Sequence, residues 1–398
     1  MQVNDMFYAH STIAEIQDNG ECGGVATTIM SYLLENNIVD AVLGVKEGFD
    51  LYDAVPCLIT DYKEVIEMAG SLHFGALNLA KFISKYLNGC RDIRIAVSCK
   101  SCDAMTIREL IKKGNIIEDN IIMIGLNCGG TMLPVPAIEM IKEIYELDPK
   151  NIISEEIANG KLILTSKDGV KKAVSIDELE ERGMGRRENC RRCSLKIPRN
   201  ADLALGNWGV IDSGKETFVE VLTQKGAQLL EETVLKGLIE VHEAPDKAIQ
   251  TRQKINNFML NKSMEKKEVD YAGTTGDIID AVHKYDEELS KCIKCYGCRE
   301  ACPLCFCTDC CLEAEGPEWV SGGYTPAAPL FHLTRMVHMV DACTNCGQCS
   351  DVCPCEIPIS KIWSTVNNKV RKTYGYIPGF DTDDRIPFSQ HLSRAKKL

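Results

Sequence analysis

Two cysteine runs constrain this chain more than any other feature. The first reads Cys292-Ile-Lys-Cys295-Tyr-Gly-Cys298-Arg-Glu-Ala-Cys302-Pro303, and the second Cys343-Thr-Asn-Cys346-Gly-Gln-Cys349-Ser-Asp-Val-Cys353-Pro354. Both follow C-x2-C-x2-C-x3-C-P. Thiolates two residues apart bend around one corner of an iron–sulfur cube, and the fourth cysteine points away to a neighbouring cube. Cys292, Cys295, Cys298 and Cys353 are therefore expected to hold one [4Fe–4S] cluster. Cys343, Cys346, Cys349 and Cys302 are expected to hold a second. Pro303 and Pro354 donate no backbone N–H and turn the chain away from the cube. Paired zinc sites could draw on the same thiolates, but zinc motifs join two C-x2-C units across a longer gap.

The spacing is that of bacterial two-cluster ferredoxins, and it defines a module over 291–360 with a long insertion between its halves. The chain carries 21 cysteines in 398 residues. Its opening residues show no basic n-region and no apolar h-region, so no export signal is expected. An odd thiol count and clusters that need free thiolates fit a reducing cytoplasm better than a disulfide frame. With 45% hydrophobic and 26% charged residues, a folded core is expected. A membrane span is not, because no run of about 18 apolar residues occurs. The net charge of −12 argues against a general nucleic-acid surface.

Upstream, residues 20–150 alternate helix and strand. Strands are expected at 38–45, 57–60, 93–98 and 121–126, with helices at 25–34, 74–87, 103–112 and 135–147. This alternation predicts an α/β layer with a largely parallel sheet. From 151 to 245 the pattern turns α+β. It holds a hairpin at 161–175, a short helix at 176–182, strands at 201–206 and 218–222, and a helix at 226–235. The expected domains are 1–245, then a connecting helix at 246–262 with a polar linker at 263–290. The ferredoxin-like module follows at 291–360, and a turn-rich basic tail at 361–398.

Other cysteines lie where strands end. Cys99-Lys-Ser-Cys102 follows the strand 93–98, and Cys128-Gly129-Gly130 follows 121–126. Loops after strand C-termini share one crevice in an α/β sheet. Cys102 and Cys128 are therefore expected to meet. With Cys190-Arg-Arg-Cys193 they would close a third cluster, and Cys99 stands as the rival of Cys102. A redox C-x2-C pair or inert buried thiols are the plainer alternatives. Cys22, Cys57 and Cys90 read as inert. Cys305, Cys307, Cys310, Cys311 and Cys355 crowd the module without a spacing that assigns them. The turn Gly20-Glu-Cys-Gly23-Gly24 opens a helix, where backbone N–H groups can hold phosphate or an isoalloxazine carbonyl, although most such glycines only make turns. Ser213-Gly-Lys-Glu216 lacks the rest of a phosphate loop and reads as a turn. The arginines at 186, 187, 191 and 192 either neutralise a cluster or flavin pyrophosphate or form a solvated face. His73 and His332 read as packed or exposed, not catalytic.

Several of these residues carry a resemblance. Gly20–Leu34, followed by Ile38-Val-Asp-Ala-Val, resembles the N-terminal signature of the beta subunits of coenzyme F420-reducing hydrogenase and formate dehydrogenase. Ala96-Val-Ser-Cys-Lys-Ser-Cys102-Asp resembles the family's G-x-P-C segment, with Ser101 in place of proline. Gly125-Leu-Asn-Cys128 fits as well. So does Cys190-Arg-Arg-Cys193 followed by Ala201-Asp-Leu-Ala-Leu-Gly-Asn207-Trp-Gly209, where Asn207 replaces the usual Asp. The likeness covers about 1–245, and the appended module looks like formate dehydrogenase beta.

The resemblance implies a flavin-binding domain with bound FAD, one cluster near it, and coenzyme F420 as hydride partner. Cys102, Cys128, Cys190 and Cys193 match the cluster segments, and Gly23 and Gly24 the flavin-proximal turn. It further implies a separate molybdenum or tungsten alpha subunit that oxidises formate, with a heterodisulfide reductase-type complex as another context. Electrons would run through the clusters to FAD and leave as hydride, which needs no acid–base side chain. The same module serving hydrogenase or another donor, or a pure electron-transfer adaptor, remain as alternatives.

Overall fold

The computed structural model describes residues 1–75, 77–211, 214–272, 278–307, 310, 312 and 328–388. Two sheets lie within them. The larger has eight strands in the order β11-β1-β10-β9-β5-β4-β2-β3. These are β1 (Met6–Ser11), β2 (Ala41–Glu47), β3 (Ala54–Ile59), β4 (Ile95–Cys99), β5 (Ile121–Leu126), β9 (Leu203–Gly206), β10 (Thr217–Val221) and β11 (Ile239–Glu243). The smaller is an antiparallel meander of β6 (Ile152–Ala158), β7 (Lys161–Ser166) and β8 (Lys171–Ser175).

The large sheet is mixed, which corrects the largely parallel expectation. Only its centre is parallel: β2 to β4, β4 to β5 and β5 to β9. Both flanks are antiparallel. The central strands read as apolar runs because both faces are covered, as in Ala41-Val-Leu, where all three residues are buried. The strands β1 and β11 were not expected from the sequence. Each carries only a short, broken apolar pattern, and they gain order by pairing with one another and with β10.

The expected helix over 74–87 is shorter, Leu79–Tyr86. Phe74 instead makes a parallel bridge to Met132. The polar linker expected at 263–290 is also overturned. A single 27-residue helix runs Asp246–Ala272, and another covers Ile278–Ser290. The long helix shows no apolar stripe, so hydrophobic periodicity could not reveal its second half. Buried polar contacts hold it. Arg252 donates to Glu220 at 2.5 Å, and Arg192 donates to Asp270 at 2.5 Å.

The tail is corrected too. Ile359–Tyr374 is a helix burying Ile362 and Trp363. Beyond it, the Tyr376 hydroxyl and the Gly379 N–H both donate to Glu109 Oε1 at 2.6 Å. One apolar core joins the two regions: Leu79, Ile83, Ile107 and Leu110 pack in the same cluster as Phe331, Ile357 and Trp363. No helix among the described residues is long and apolar enough to cross a membrane.

Candidate metal centres

In the ferredoxin-like region the two runs adopt matching backbones. Lys294 and Asn345 both have left-handed φ, 57° and 58°, and so do Tyr296 and Gly347, 61° and 84°. Each run then enters a short helix, Gly297–Ala301 or Gln348–Asp351. The left-handed turns curl each trio of thiols inward. Cys353 comes to the first trio: Cys292 and Cys298 both feel its charge. Cys302 crosses to the second trio, whose three thiols feel it in turn. Cys302, Cys343, Cys346 and Cys349 line one cavity together with Trp363. Among the described residues no three His, Cys, Asp or Glu side chains converge closely enough for a single metal ion. Thiols set apart around a cavity suit an inorganic group larger than one zinc ion.

A second observation bears on the fit. Arg335 is only 2% exposed, and no carboxylate among the described residues pairs with it. Its Nη1 lies 3.0 Å from Cys298 Sγ, and its Nη2 donates to the Cys298 carbonyl at 3.1 Å. A buried guanidinium needs an anion, and thiolate-bound clusters supply one.

The third set forms at the C-terminal ends of the parallel strands. β4 and β5 are neighbours, so their following loops project together. The helix Ser101–Lys112 starts at once after β4 and seats Cys102 in its first turn. Asp103 holds that turn, accepting from the N–H groups of Lys100 and Leu79 at 2.9 Å each. Cys128 N–H donates to the Lys196 carbonyl at 2.9 Å, and Lys196 Nζ donates to the Cys190 carbonyl at 2.8 Å. Thr131 N–H lies 3.5 Å from Cys190 Sγ. Cys128 feels the charges of Cys190 and Cys193, and Cys102 those of Cys128 and Cys193.

Burial pushes the Cys128 thiol up to about 11, with its thiolate neighbours adding to the rise. Burial would raise Cys190 as well, but the Arg187 guanidinium and Thr131 pull it below its ordinary value. Cys99 is buried in β4 with Asp103, Lys100 and Asp202 as charged neighbours, whereas Cys102 has Cys128 and Cys193 beside it.

The remaining residues fall as follows. Gly23 N–H donates to Thr217 Oγ1 at 3.0 Å, and a Cβ there would run into Thr217 N at 2.9 Å. Gly24, at φ 74°, starts the helix Val25–Glu35 against Ile16. Packing thus explains both glycines, and the expected flavin-facing donor at Gly23 is already engaged within the protein. Cys22 receives a hydrogen bond from Thr217 at 3.3 Å. Cys90 is buried, its thiol pushed up to about 12 by burial. Cys305 sits beside Arg335, and Cys355 beside Cys292. Cys311, and Ser213 of the expected turn, lie outside the described residues.

The arginine run is not a solvated face. Arg186, Arg187 and Arg192 are all buried. Arg186 and Arg191 pair with Glu180, while Arg187 reaches Cys190 Sγ at 3.7 Å and the Cys346 carbonyl at 2.9 Å and pairs with Asp351. Arg187 and Arg335 are the residues that sequence reasoning undervalued. Arg335 carried no spacing signal at all.

A family model described as "Coenzyme F420 hydrogenase/dehydrogenase, beta subunit N-term" matches residues 6–84, and its C-terminal counterpart matches 92–247. The chain belongs to the coenzyme F420 hydrogenase/dehydrogenase beta subunit family. Within this family it is 46% identical to the F420-dependent formate dehydrogenase subunit beta of Methanocaldococcus jannaschii, over 93% of this chain and 96% of that protein. It is 44% identical to the F420-dependent formate dehydrogenase 1 subunit beta of Methanococcus maripaludis, over 96% of both. The coenzyme F420 hydrogenase subunit beta of Methanococcus voltae is 24% identical over 60% of this chain. A chain in a structure of the F420-reducing [NiFe] hydrogenase complex from Methanosarcina barkeri shares the fold, with a TM-score of 0.59 at 17% identity over 68% of this chain and 94% of that one. The family models end at 247, so the paired cysteine runs lie beyond them, within the span matched by the formate dehydrogenase relatives.

Proposed function

We propose that this oxidoreductase chain is the beta subunit of an F420-dependent formate dehydrogenase. It would relay electrons from a molybdenum or tungsten alpha subunit to coenzyme F420, reversibly. One observation carries the reading. The Arg187 guanidinium reaches Cys190 Sγ at 3.7 Å and the Cys346 carbonyl at 2.9 Å, so cysteines of the body and of the second run adjoin across one side chain. Cys292, Cys295, Cys298 and Cys353 would hold the entry cluster. Cys302, Cys343, Cys346 and Cys349 would hold the middle one, and Cys102, Cys128, Cys190 and Cys193 the last. When bound, the clusters carry single electrons, and FAD exchanges these for the hydride that F420 requires.

The chain's own part is to hold the thiols apart at fixed distances, keep water from them and supply buried cations. FAD is assigned to the crevice beyond the C-terminal ends of β4 and β5, next to the third set. No donor is claimed at Gly23. The thiols require a reducing compartment, so the reading expects the cytoplasm. The names and near full-length match of the two formate dehydrogenase relatives favour formate over hydrogen as the donor's substrate, and a heterodisulfide reductase complex as wider partner is left to pull-down. The test is anaerobic purification with iron, sulfide and flavin counts, then formate-driven F420 reduction with the alpha subunit added. About twelve irons, three cubes of four, are expected, with one FAD. Clusters without flavin or F420 turnover would make the chain an adaptor and overturn the proposal.

A further inference from the structure

The long insertion between the two cysteine runs is more than a spacer. It carries the helix Ala328–Met339, and Arg335 lies on that helix. Its guanidinium stacks over Trp363, 4.5 Å from the ring centroid, and Trp363 lines the cavity of the second thiol set. The same guanidinium reaches Cys298 Sγ of the first set at 3.0 Å and Cys305 Sγ at 3.9 Å. Arg335 is therefore wedged between the two sets, and Cys298, Cys302 and Cys349, drawn from both, all act on it. On the same helix, one turn before Arg335, His332 is buried with both ring nitrogens unpartnered among the described residues. Burial and the Arg335 charge hold that imidazole down to about 4, so it is neutral and adds no second cation.

Arg187 offers the contrast. It occupies the next gap, but Asp351 neutralises it. Arg335 has no such carboxylate among the described residues, so its positive charge is left for whatever the thiols bind. In a buried site of low dielectric, one unpaired charge acts strongly on its neighbours.

We propose that Arg335 is the shared counter-cation of the two ferredoxin-module clusters and sets the potential at which they accept electrons. It is a positioning residue, not a catalytic one. Reduction adds one electron to a cluster and makes its charge more negative by one; no bond breaks and no proton moves. That electron comes from the donor subunit of the proposed function, on which this inference rests. A fixed cation favours the reduced form and raises the potential. Because the guanidinium touches one set and stacks on the tryptophan that lines the cavity of the other, both clusters should respond together, while the third set, across Arg187, should not.

The experiment is an EPR-monitored redox titration of the full anaerobically purified chain, wild type against Arg335→Met and Arg335→Lys, with iron counts on each. In Arg335→Met both module clusters should become harder to reduce, with the third unmoved as internal control. Arg335→Lys keeps the charge and should restore most of the shift. Unchanged potentials, or equal shifts in both variants, would mean that Arg335 only packs. Where Arg335→Met loses module iron, retention of clusters and potentials in Arg335→Lys supports the charge role, and loss in both overturns it. Wild-type chain without iron would bring down the function proposal and this inference together. Wild-type clusters with unmoved variants would bring down this inference alone.

Discussion

The two cysteine-bearing regions reach similar arrangements by opposite routes. In the ferredoxin-like region each trio of thiols is contiguous and shaped by its own backbone, with left-handed residues at matching places in both runs. In the α/β body the four thiols come from three separate segments. They meet only because β4 and β5 are parallel neighbours and because a buried polar network pins the 188–199 segment. A site made by local conformation is robust to changes elsewhere, and a site made by topology inherits every weakness of the sheet and helices that assemble it.

Cysteine removal tests that contrast most severely. Cys190→Ala should abolish the body cluster and F420 reduction while the module keeps its iron, so total iron falls by about a third. Cys295→Ala should abolish formate-driven reduction yet leave direct FAD–F420 exchange. Equal loss of both activities in Cys295→Ala would break the separation of the two regions.

The next largest effect falls on the scaffold of the body. Arg252 and Glu220 are a buried pair, each side chain at most 3% exposed. Removing Arg252 leaves Glu220 with only the partly exposed Arg199, so Arg252→Met should cost about 1.5–3 kcal/mol in a denaturant titration. The body cluster should be lost before the module clusters as denaturant rises. Simultaneous loss would contradict the contrast.

Gly347 marks where the regions touch. A Cβ there would meet Asn189 Cβ at 2.8 Å and Arg187 Nη2 at 2.9 Å, and its φ is left-handed. The matching position in the first run is Tyr296, whose ring packs edge-on against Phe331 and whose hydroxyl donates to the Leu312 carbonyl. Gly347→Ala should cost about 1–3 kcal/mol by overpacking and slow electron passage between module and body, read by stopped flow.

Acid should act through the same pair. Burial alone would raise Glu220, but Arg199 and Arg252 hold it below its ordinary 4.5. A depressed carboxyl contributes stability that is present above pH 4.5 and lost as the pH falls through its lower folded value. The denaturation midpoint should therefore drop in that acid range, and Glu220→Gln should flatten the drop while lowering stability at neutral pH.

The smallest effect is expected at Lys85–Glu300, an ion pair between body and module with both side chains near half exposed. Lys85→Ala should change stability by less than about 1 kcal/mol and leave the cluster potentials alone. A large effect would show that the regions depend on surface charge more than on the Arg187–Asp351 contact.

Some of this was readable in one dimension because the physics is local. The C-x2-C-x2-C-x3-C-P spacing dictates its own turns, and the proposed exchange of fourth cysteines, Cys353 and Cys302, rests on it. Short apolar runs marked β4 and β5, and their order along the chain put Cys102 and Cys128 on one rim. The helix expected at 246–262 runs on to Ala272, and that second half stayed hidden because buried polar contacts such as Arg192–Asp270, not an apolar stripe, hold it. The antiparallel flank built on β1 stayed hidden because β1 and β11 owe their order to partners distant in sequence.

What the chain of residues determined by itself, then, is which thiols are available, how each run bends, and where strands end. What only the tertiary structure decided is which charges stand beside those thiols. The role of Arg335 and the neutralised state of Arg187 depend on contacts from 37 residues away, in the case of Cys298, to 164, in the case of Asp351. Electrostatics inside a protein acts through space and is strongest where water is excluded, so linear order carries no record of it.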